Sequence, residues 1–172
     1  EAAQLIFELD DDLWNIDGGS TMAHAFFSDP DLLANLQRNI EVASAVTVTT
    51  EPLADIVRQW NPNVHVIPNA IPDWLLNHQP PQRGDGKLTI GWGGSATHNM
   101  DFDQVADQLR RFLKRNADTE FHCIGNDYAQ WMRIPRDQAR FTPWVPDVDT
   151  FLRTIDYHVG IAPLRPHVFN QS

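Results

Sequence analysis

The chain has 172 residues, of which 42% are hydrophobic and 21% charged, which predicts one or two compact units with a sizeable core and excludes disordered and fibrous classes. Its net charge of −10 argues against binding nucleic acid or anionic lipid through a basic face. The single cysteine, Cys123, excludes an internal disulfide, and with no secretory signal pattern and no apolar run long enough to span a bilayer we expect a cytoplasmic protein.

The first part of the chain alternates short apolar runs with amphipathic helical patterns. Strands are predicted at 4–9, 45–49 and 64–67, and helices at 29–43 and 51–60. A loop is expected over 15–28. This alternation is typical of βα units and a parallel sheet, so residues 1–70 are predicted to form a partial α/β domain.

Three carboxylates, Asp10, Asp11 and Asp12, follow the first predicted strand. Carboxylates at a strand end must be solvated, hydrogen-bonded or bound to a cation. Three hypotheses remain open on the pattern: a divalent metal site of the Asp-x-Asp type, a cluster that binds sugar hydroxyls, and a solvated loop with a helix-capping Asp.

Residues 71–86 change in composition, with Pro72, Pro80 and Pro81 followed by the sequence RGDG. Prolines and glycines leave few packed contacts, so this stretch is predicted to be a linker between domains. The second domain is then expected over 87–172.

A glycine cluster lies near the middle of the chain. A short apolar run at 88–90 reaches Gly91, Gly93 and Gly94, and an amphipathic helical pattern continues to Arg115. A strand, a glycine-rich loop and a helix would place unpaired backbone N–H groups at the positive end of the helix dipole, which favours a bound diphosphate. The alternative is a tight turn with no ligand. The cluster lacks the Gly-Lys-Ser/Thr ending of a P-loop and the full G-x-G-x-x-G spacing, which disfavours kinase-like and dinucleotide-binding functions.

Further strands are predicted at 119–124, 139–142 and 157–162, with a short helix at 147–154. The order predicts a Rossmann-like parallel α/β sheet whose strands share one carboxyl edge, where such sheets bind ligands. Four loops fall on this edge, at 93–98, 125–127, 143–145 and 163–172.

Five blocks carry a family resemblance: ELDDDLW at 8–14, RNIEVASAVTVTTEPLAD at 38–55, VHVIPNAIP at 64–72, IGWGGSATHNMDF at 90–102 and DYHVGIAPLRPHVFNQS at 156–172. In this order they resemble blocks of bacterial GT-B type glycosyltransferases of the "glycosyl transferases group 1" (family 4-like) type. The resemblance implies two Rossmann-like domains, the first binding the acceptor and the second the nucleotide-sugar donor. It also implies that the chain is a central fragment of a longer enzyme, which can be inactive alone and associates with the enzyme's further segments.

The resemblance further implies transfer of a hexosyl or other sugar to a saccharide, glycolipid or envelope-glycan acceptor in polysaccharide biosynthesis, with retention at the anomeric carbon. It implies no metal and no cofactor, the donor nucleotide-sugar being a substrate, and the net charge predicts no nucleic-acid partner. Catalytic roles would fall to Asp11, Asp12 and His98. The donor would be bound by Gly93, Gly94, Ser95, Thr97, Asn126, Asp127, Trp144, Val145, Arg165, Phe169 and Asn170.

The chain also departs from the family. Many relatives place an Arg and a Lys just after the glycines, whereas the segment SATHNMD offers only His98, with Arg165 as a further candidate to balance phosphate charge. Two alternatives stay open: a metal-dependent GT-A type transferase that uses Asp10 and Asp12, and a noncatalytic binding or scaffold module with a degenerate transferase fold.

Overall fold

The computed structural model describes residues 4–18, 21–77, 79 and 86–172. The chain forms two compact units, Glu1–Ile71 with Pro166–Ser172, and Pro72–Arg165. Part of the linker predicted at 71–86, residues 78 and 80–85, lies outside the described residues. Residues 166–172 group with the first unit, whereas the sequence analysis assigned them to the second domain.

The first unit is built on a parallel three-stranded sheet of order β1-β2-β3, in which Leu9, Val48 and Val66 stand in register. Its elements are β1 (Ile6–Leu9), α1 (Thr21–Phe27), α2 (Pro30–Val42), β2 (Ala45–Val48), α3 (Glu51–Val57) and β3 (Val64–Val66), with a 3-10 turn at Phe169–Gln171.

Side-chain caps define the helix starts of this unit. Asp29 accepts from the Asp31 N–H at the start of α2, and Thr50 accepts from the Leu53 N–H at the start of α3. The buried Asn61 side chain donates to the carbonyls of Ile40 and Ala43, so it joins the region after α3 to the end of α2.

The second unit has a parallel four-stranded sheet of order β6-β5-β4-β7. Its elements are α4 (Asp73–Leu76), β4 (Leu88–Gly94), α5 (Asn99–Asp103), α6 (Ala106–Arg115), β5 (Thr119–Gly125), α7 (Tyr128–Trp131), β6 (Ala139–Pro143), α8 (Val148–Thr154) and β7 (Val159–Gly160), with a 3-10 turn at Arg136–Gln138. From β4 the chain steps outward through β5 to β6 and then returns to pair β7 with the other side of β4. The strand order therefore reverses between β4 and β7, where doubly wound sheets bind ligands.

The two faces of β4 differ in side-chain size. Trp92 is buried on the face where Phe102 and Tyr128 pack, and its ring lies 5.4 Å and 4.8 Å from theirs. Gly91 and Gly93 point to the other face, where the rings of Tyr157 and Phe151 occupy the space that a Cβ would need.

Several predicted elements need correction. The glycines at 91, 93 and 94 belong to β4 itself and pair with β5, so they do not form a loop after a short strand. The predicted long helix is two helices, α5 and α6, interrupted at 104–105. The expected loop at 15–28 contains α1, and the helix expected at 51–60 ends at Val57. Among the described residues, none of the helices is both long and apolar enough to cross a membrane.

Candidate functional site

The carboxyl ends of three strands of the second unit lie side by side. Gly94, Gly125 and Pro143 are register partners across β4, β5 and β6. Gly125 has φ = 97°, a conformation that favours glycine, and a Cβ there would approach the Gly94 carbonyl oxygen to 2.3 Å. The indole of Trp144 lies against the same position, with Cε3 3.0 Å from where that Cβ would be. The structure thus brings the segments that begin at Ser95, Asn126 and Trp144 to one edge.

The turn after β4 is held by a tyrosine from the next βα unit. The Tyr128 hydroxyl accepts a hydrogen bond from the His98 N–H at 2.8 Å and donates to the Ser95 carbonyl at 3.3 Å. The Ser95 and Thr97 hydroxyls lie 2.9 Å apart in this turn. Burial raises the pKa of Tyr128, so its hydroxyl stays protonated and the turn keeps both contacts.

Asp101 joins the two sides of the strand-order reversal. This buried carboxylate lies 3.0 Å from His98 Nδ1 and accepts a hydrogen bond of 2.8 Å from the Arg165 backbone N–H. A carboxylate can only accept hydrogen bonds, so the proton between the two side chains lies on His98 Nδ1. The other ring nitrogen, Nε2, is the one left to contact a ligand. Asp101 therefore fixes the His98 ring and anchors the half-buried Arg165 near the same turn.

A cavity of about 730 Å³ lies between the turn after β4 and the segment after β5. Two residues predicted to bind the donor, Asn126 and Asp127, line it. Asp127 also caps the start of α7, where its Oδ1 accepts from the Gln130 N–H. The half-exposed Trp131 also lines it and donates from Nε1 to Asp103 Oδ1 at 3.1 Å. Its lining residues are Ala96, Asn99, Asp103, Asn126, Asp127, Gln130, Trp131 and Arg133.

The glycines of β4 have a packing function. A Cβ on Gly91 would lie 1.8 Å from Tyr157 Cδ1, one on Gly93 2.8 Å from Phe151 Cζ, and one on Gly94 2.6 Å from Trp92 Cζ2. Aromatic rings of the same chain therefore account for all three glycines. Close approach of a phosphate to Gly93 and Gly94 stays a prediction. The glycine spacing does not by itself support it, because packing against aromatic rings already explains these glycines.

A buried polar network lies beneath the same sheet. His122 is fully buried, with Nδ1 3.0 Å from Asp156 Oδ1 and Nε2 2.9 Å from Thr142 Oγ1. Arg140 binds both Asp156 oxygens at 2.7 Å and Glu120 Oε1 at 2.9 Å. Burial and the Arg140 charge lower the pKa of His122. Burial alone would raise the pKa of Asp156, but hydrogen bonds from Arg140 and His122 hold it below its ordinary value.

The aspartates of the first unit separate into three environments. Asp12 is fully buried, and its two oxygens accept from the Trp14 N–H and the Asn15 amide, so it shapes the turn and is not open to a substrate. Asp10 accepts from the Asn69 amide at 3.1 Å. Asp11 is exposed, and partial desolvation together with the Asp10 charge raises its pKa. Of the three aspartates, Asp11 is therefore the candidate for a functional role.

Phe169 and Asn170 lie in the 3-10 turn Phe169–Gln171, where the Asn170 N–H donates to the His167 carbonyl. These two predicted donor residues belong to the first compact unit, while the other nine belong to the second. In the part of the chain that the structure describes, no group of three or more His, Cys, Asp and Glu side chains could hold a metal ion.

Sequence reasoning missed two residues that organise this edge, Asp101 and Tyr128. Asp101 follows His98 at a spacing of three, which places both side chains on one helical turn, and this spacing was available in the sequence. The contact of Tyr128 with the turn at 95–98 joins two separate βα units, and no local pattern indicates it.

No family model and no curated protein matches this chain. Among solved structures, the crystal structure of TarM is similar, with a TM-score of 0.59 and 16% identity over 92% of this chain and 31% of that chain. The S. aureus TarM mutant in complex with Fondaparinux, alpha-GlcNAc-glycerol and UDP gives a TM-score of 0.57 and 15% identity over 91% and 31%. The chain thus spans about a third of the length of the structures it matches. The predicted fold class is confirmed: the chain is a mixed α/β protein with parallel, Rossmann-like sheets, and it shares its fold with part of a GT-B glycosyltransferase.

Proposed function

We propose that this chain takes part in transferring a sugar from a nucleoside-diphosphate sugar to a saccharide or envelope-glycan acceptor. The observation that carries the proposal is the reversal of strand order between β4 and β7, because ligands bind at this point in doubly wound sheets. Its fold, shared with the TarM structures, supports the same function. We place the reaction in the cytoplasm, since the one cysteine, Cys123, is a buried free thiol that suits a reducing compartment.

The donor diphosphate is assigned to the turn after β4. As the glycosidic bond breaks, the leaving nucleoside diphosphate gains negative charge, and preorganised donors stabilise it. The hydroxyls of Ser95 and Thr97 are adjacent in this turn, and Asp101 holds both the His98 ring and the Arg165 backbone beside it. In this proposal Arg165 balances the charge, His98 keeps its predicted catalytic role, no metal takes part, and Asp101 is a positioning residue.

The nucleoside is assigned to the neighbouring strand ends. Trp144 is 58% exposed and lies against Gly125, with the Phe151 ring centroid 6.3 Å from its own, and its exposed ring surface can stack on a base. Asn126 and Val145 follow adjacent strands at the same edge and supply polar and apolar contacts. A donor-binding role for Phe169 and Asn170 stays a prediction.

The acceptor is assigned to the first unit. A cavity of about 230 Å³ lies at the carboxyl ends of β1, β2 and β3 and is lined by Glu8, Thr47, Thr49 and Asn69, among others. Asp10 follows the same strand end and is bound by Asn69. The raised pKa of Asp11 suits a carboxylate that accepts a proton from, or hydrogen-bonds to, an acceptor hydroxyl. Retention at the anomeric carbon is part of the proposal.

The test is calorimetric titration of the chain with UDP and GDP, each with and without manganese. We expect metal-independent binding of one of them, weakened at least about fivefold by Trp144→Ala because base–aromatic stacking contributes about 1–3 kcal/mol. Phe112→Ala is the matched control, since Phe112 is also half-exposed and lies on α6. Glycine variants are unsuitable because Gly91, Gly93 and Gly94 are needed for packing.

A noncatalytic binding module is the second candidate. It is favoured by the segment SATHNMD, which places no Arg or Lys after β4 to balance a diphosphate. A folded chain that binds neither nucleotide under any condition would contradict the donor site and favour this module. Binding that requires manganese would instead favour the aspartates of the first unit.

A further inference from the structure

A second cleft of the second unit lies beside the edge strand β6, away from the strand-order reversal. Its volume is about 660 Å³, within the range of small-molecule sites. Arg133 and Arg136 line it together with the apolar residues Ile134, Pro135 and Phe141. Phe141 is 44% exposed, which leaves aromatic surface open to a ligand.

Arg133 occupies a backbone position that normally favours glycine. Its φ is 55°, and it is the one non-glycine residue with positive φ in the described part of the chain. The Arg133 N–H bonds to the Gln130 carbonyl and the Ile134 N–H to the Ala129 carbonyl, which is the Schellman pattern at the end of α7. An arginine there carries a backbone cost that glycine would not, and the exposed guanidinium in the cleft is a candidate reason for the arginine.

The charges around the cleft leave these two arginines available. Three other arginines of the unit are engaged: Arg110 bonds to Asp107, Arg140 to Glu120 and Asp156, and Arg153 lies over the Trp74 ring. Within the described residues, neither Arg133 nor Arg136 forms an ion pair, and both are exposed. One carboxylate, Asp127, also lines the cleft, and its Oδ1 already accepts from the Gln130 N–H. In a chain of net charge −10, two arginines without ion-pair partners beside one carboxylate favour an anionic ligand.

We propose that this cleft is a binding site for a phosphate-bearing ligand whose organic part is apolar or aromatic. The two guanidinium groups bind the phosphate oxygens through charge-assisted hydrogen bonds. Ile134, Pro135 and Phe141 contact the organic part. The cleft shares Asp127, Gln130 and Arg133 with the cavity beside the turn at 95–98, whereas Arg136 and Phe141 line this cleft and not that cavity. The proposal does not rest on the proposed transferase function.

The experiment is a titration of the chain with phenyl phosphate, followed by NMR of the arginine side-chain Nε–Hε groups. We expect saturable shifts at Arg133 and Arg136. Arg133→Gly and Arg136→Gln should each weaken binding about tenfold or more, because a hydrogen bond to a charged group contributes that much. Arg133→Gly should keep the midpoint of thermal unfolding at or above that of the parent chain, since it relieves the left-handed backbone.

The matched control is the pair Lys114→Gln and Arg115→Gln, which removes two exposed positive charges on α6 outside the cleft. This variant should bind phenyl phosphate like the parent chain. Phe141→Ala should abolish the preference for phenyl phosphate over inorganic phosphate. The proposal is overturned if the arginine variants bind normally, if the control loses as much affinity as they do, or if the shifts appear at 95–98 and leave Arg133 and Arg136 unmoved.

Discussion

Gly91 faces Tyr157, and this contact dictates the residue that β4 can carry there. A Cβ on Gly91 would lie 1.8 Å from the Tyr157 ring, which is held against the sheet. We expect Gly91→Ala to lower the free energy of unfolding by about 3 kcal/mol or more, at the upper end of overpacking effects. Gly18→Ala is the control, because a Cβ there meets no atom within 4 Å and should change stability by less than about 0.5 kcal/mol. Urea denaturation measures both, and equal effects would contradict the packing role.

His122 makes the stability depend on pH. Its folded-state pKa is lowered by burial and by Arg140, so the unfolded chain binds the proton more readily. Stability should therefore fall as pH drops through about 6.5, the ordinary histidine value. The groups that face His122 are Asp156, Arg140, Glu120 and Tyr157. Asp156 acts in a separate window, since its depressed pKa makes its contribution disappear only below its ordinary value of 3.8.

The measurement is the free energy of unfolding at pH 7.5 and pH 5.5 for the parent chain and His122→Gln. The difference between the two pH values should shrink in the variant, because the glutamine does not titrate. His65→Gln serves as the control, since it removes an exposed histidine on β3, outside this network. An undiminished slope in His122→Gln would show that other groups cause it.

At the scale of secondary-structure elements, one buried side-chain amide joins the end of helix α2 to the region after α3. Asn61 donates to the Ile40 and Ala43 carbonyls, and its oxygen accepts from the Asn63 N–H. Asn61→Leu leaves three backbone groups without this partner, so we expect a loss of about 2–4 kcal/mol in the stability of the first unit. The exposed Asn35→Leu on α2 should cost little. Denaturant unfolding compares the two variants, and a loss below about 1 kcal/mol in Asn61→Leu would refute the role.

Local chemistry explains which elements could be predicted. The start of α2 at Asp29-Pro30 and the alternation of β-type runs with helices follow from capping and periodicity, and both are found. The break between α5 and α6 and the extension of β4 through Gly94 could not be predicted this way. The glycines of β4 face the rings of Tyr157 and Phe151, and Tyr128 holds the following turn, so both features involve residues that come later in the chain. The structure gives no cause for the break between α5 and α6. The candidate site was predicted as an edge of loops, but the residues that hold it together were not.

At the scale of the whole molecule, an apolar surface of the second unit is expected to promote self-association. A cavity of about 730 Å³ beside β7 is lined by Leu88, Phe112 and Val159, which are 39–48% exposed, and by Ile90 and Ile161. Apolar patches next to a strand edge promote association. We expect Phe112→Glu to reduce concentration-dependent self-association at pH 7.5, measured by sedimentation velocity. The control Val42→Glu adds the same charge at an exposed apolar residue of α2, and an equal reduction there would show a general charge effect.

The fit of Gly91 under the Tyr157 ring also has an evolutionary consequence. Neither residue can change alone without leaving either a clash or a gap, so the two positions should vary together among related sequences. A bulkier residue at 91 would be viable only beside a smaller one at 157, and Gly91→Ala with Tyr157→Val should recover part of the stability that Gly91→Ala loses. A glycine conserved at position 91 would therefore reflect its packing against the Tyr157 ring and would not indicate a ligand site.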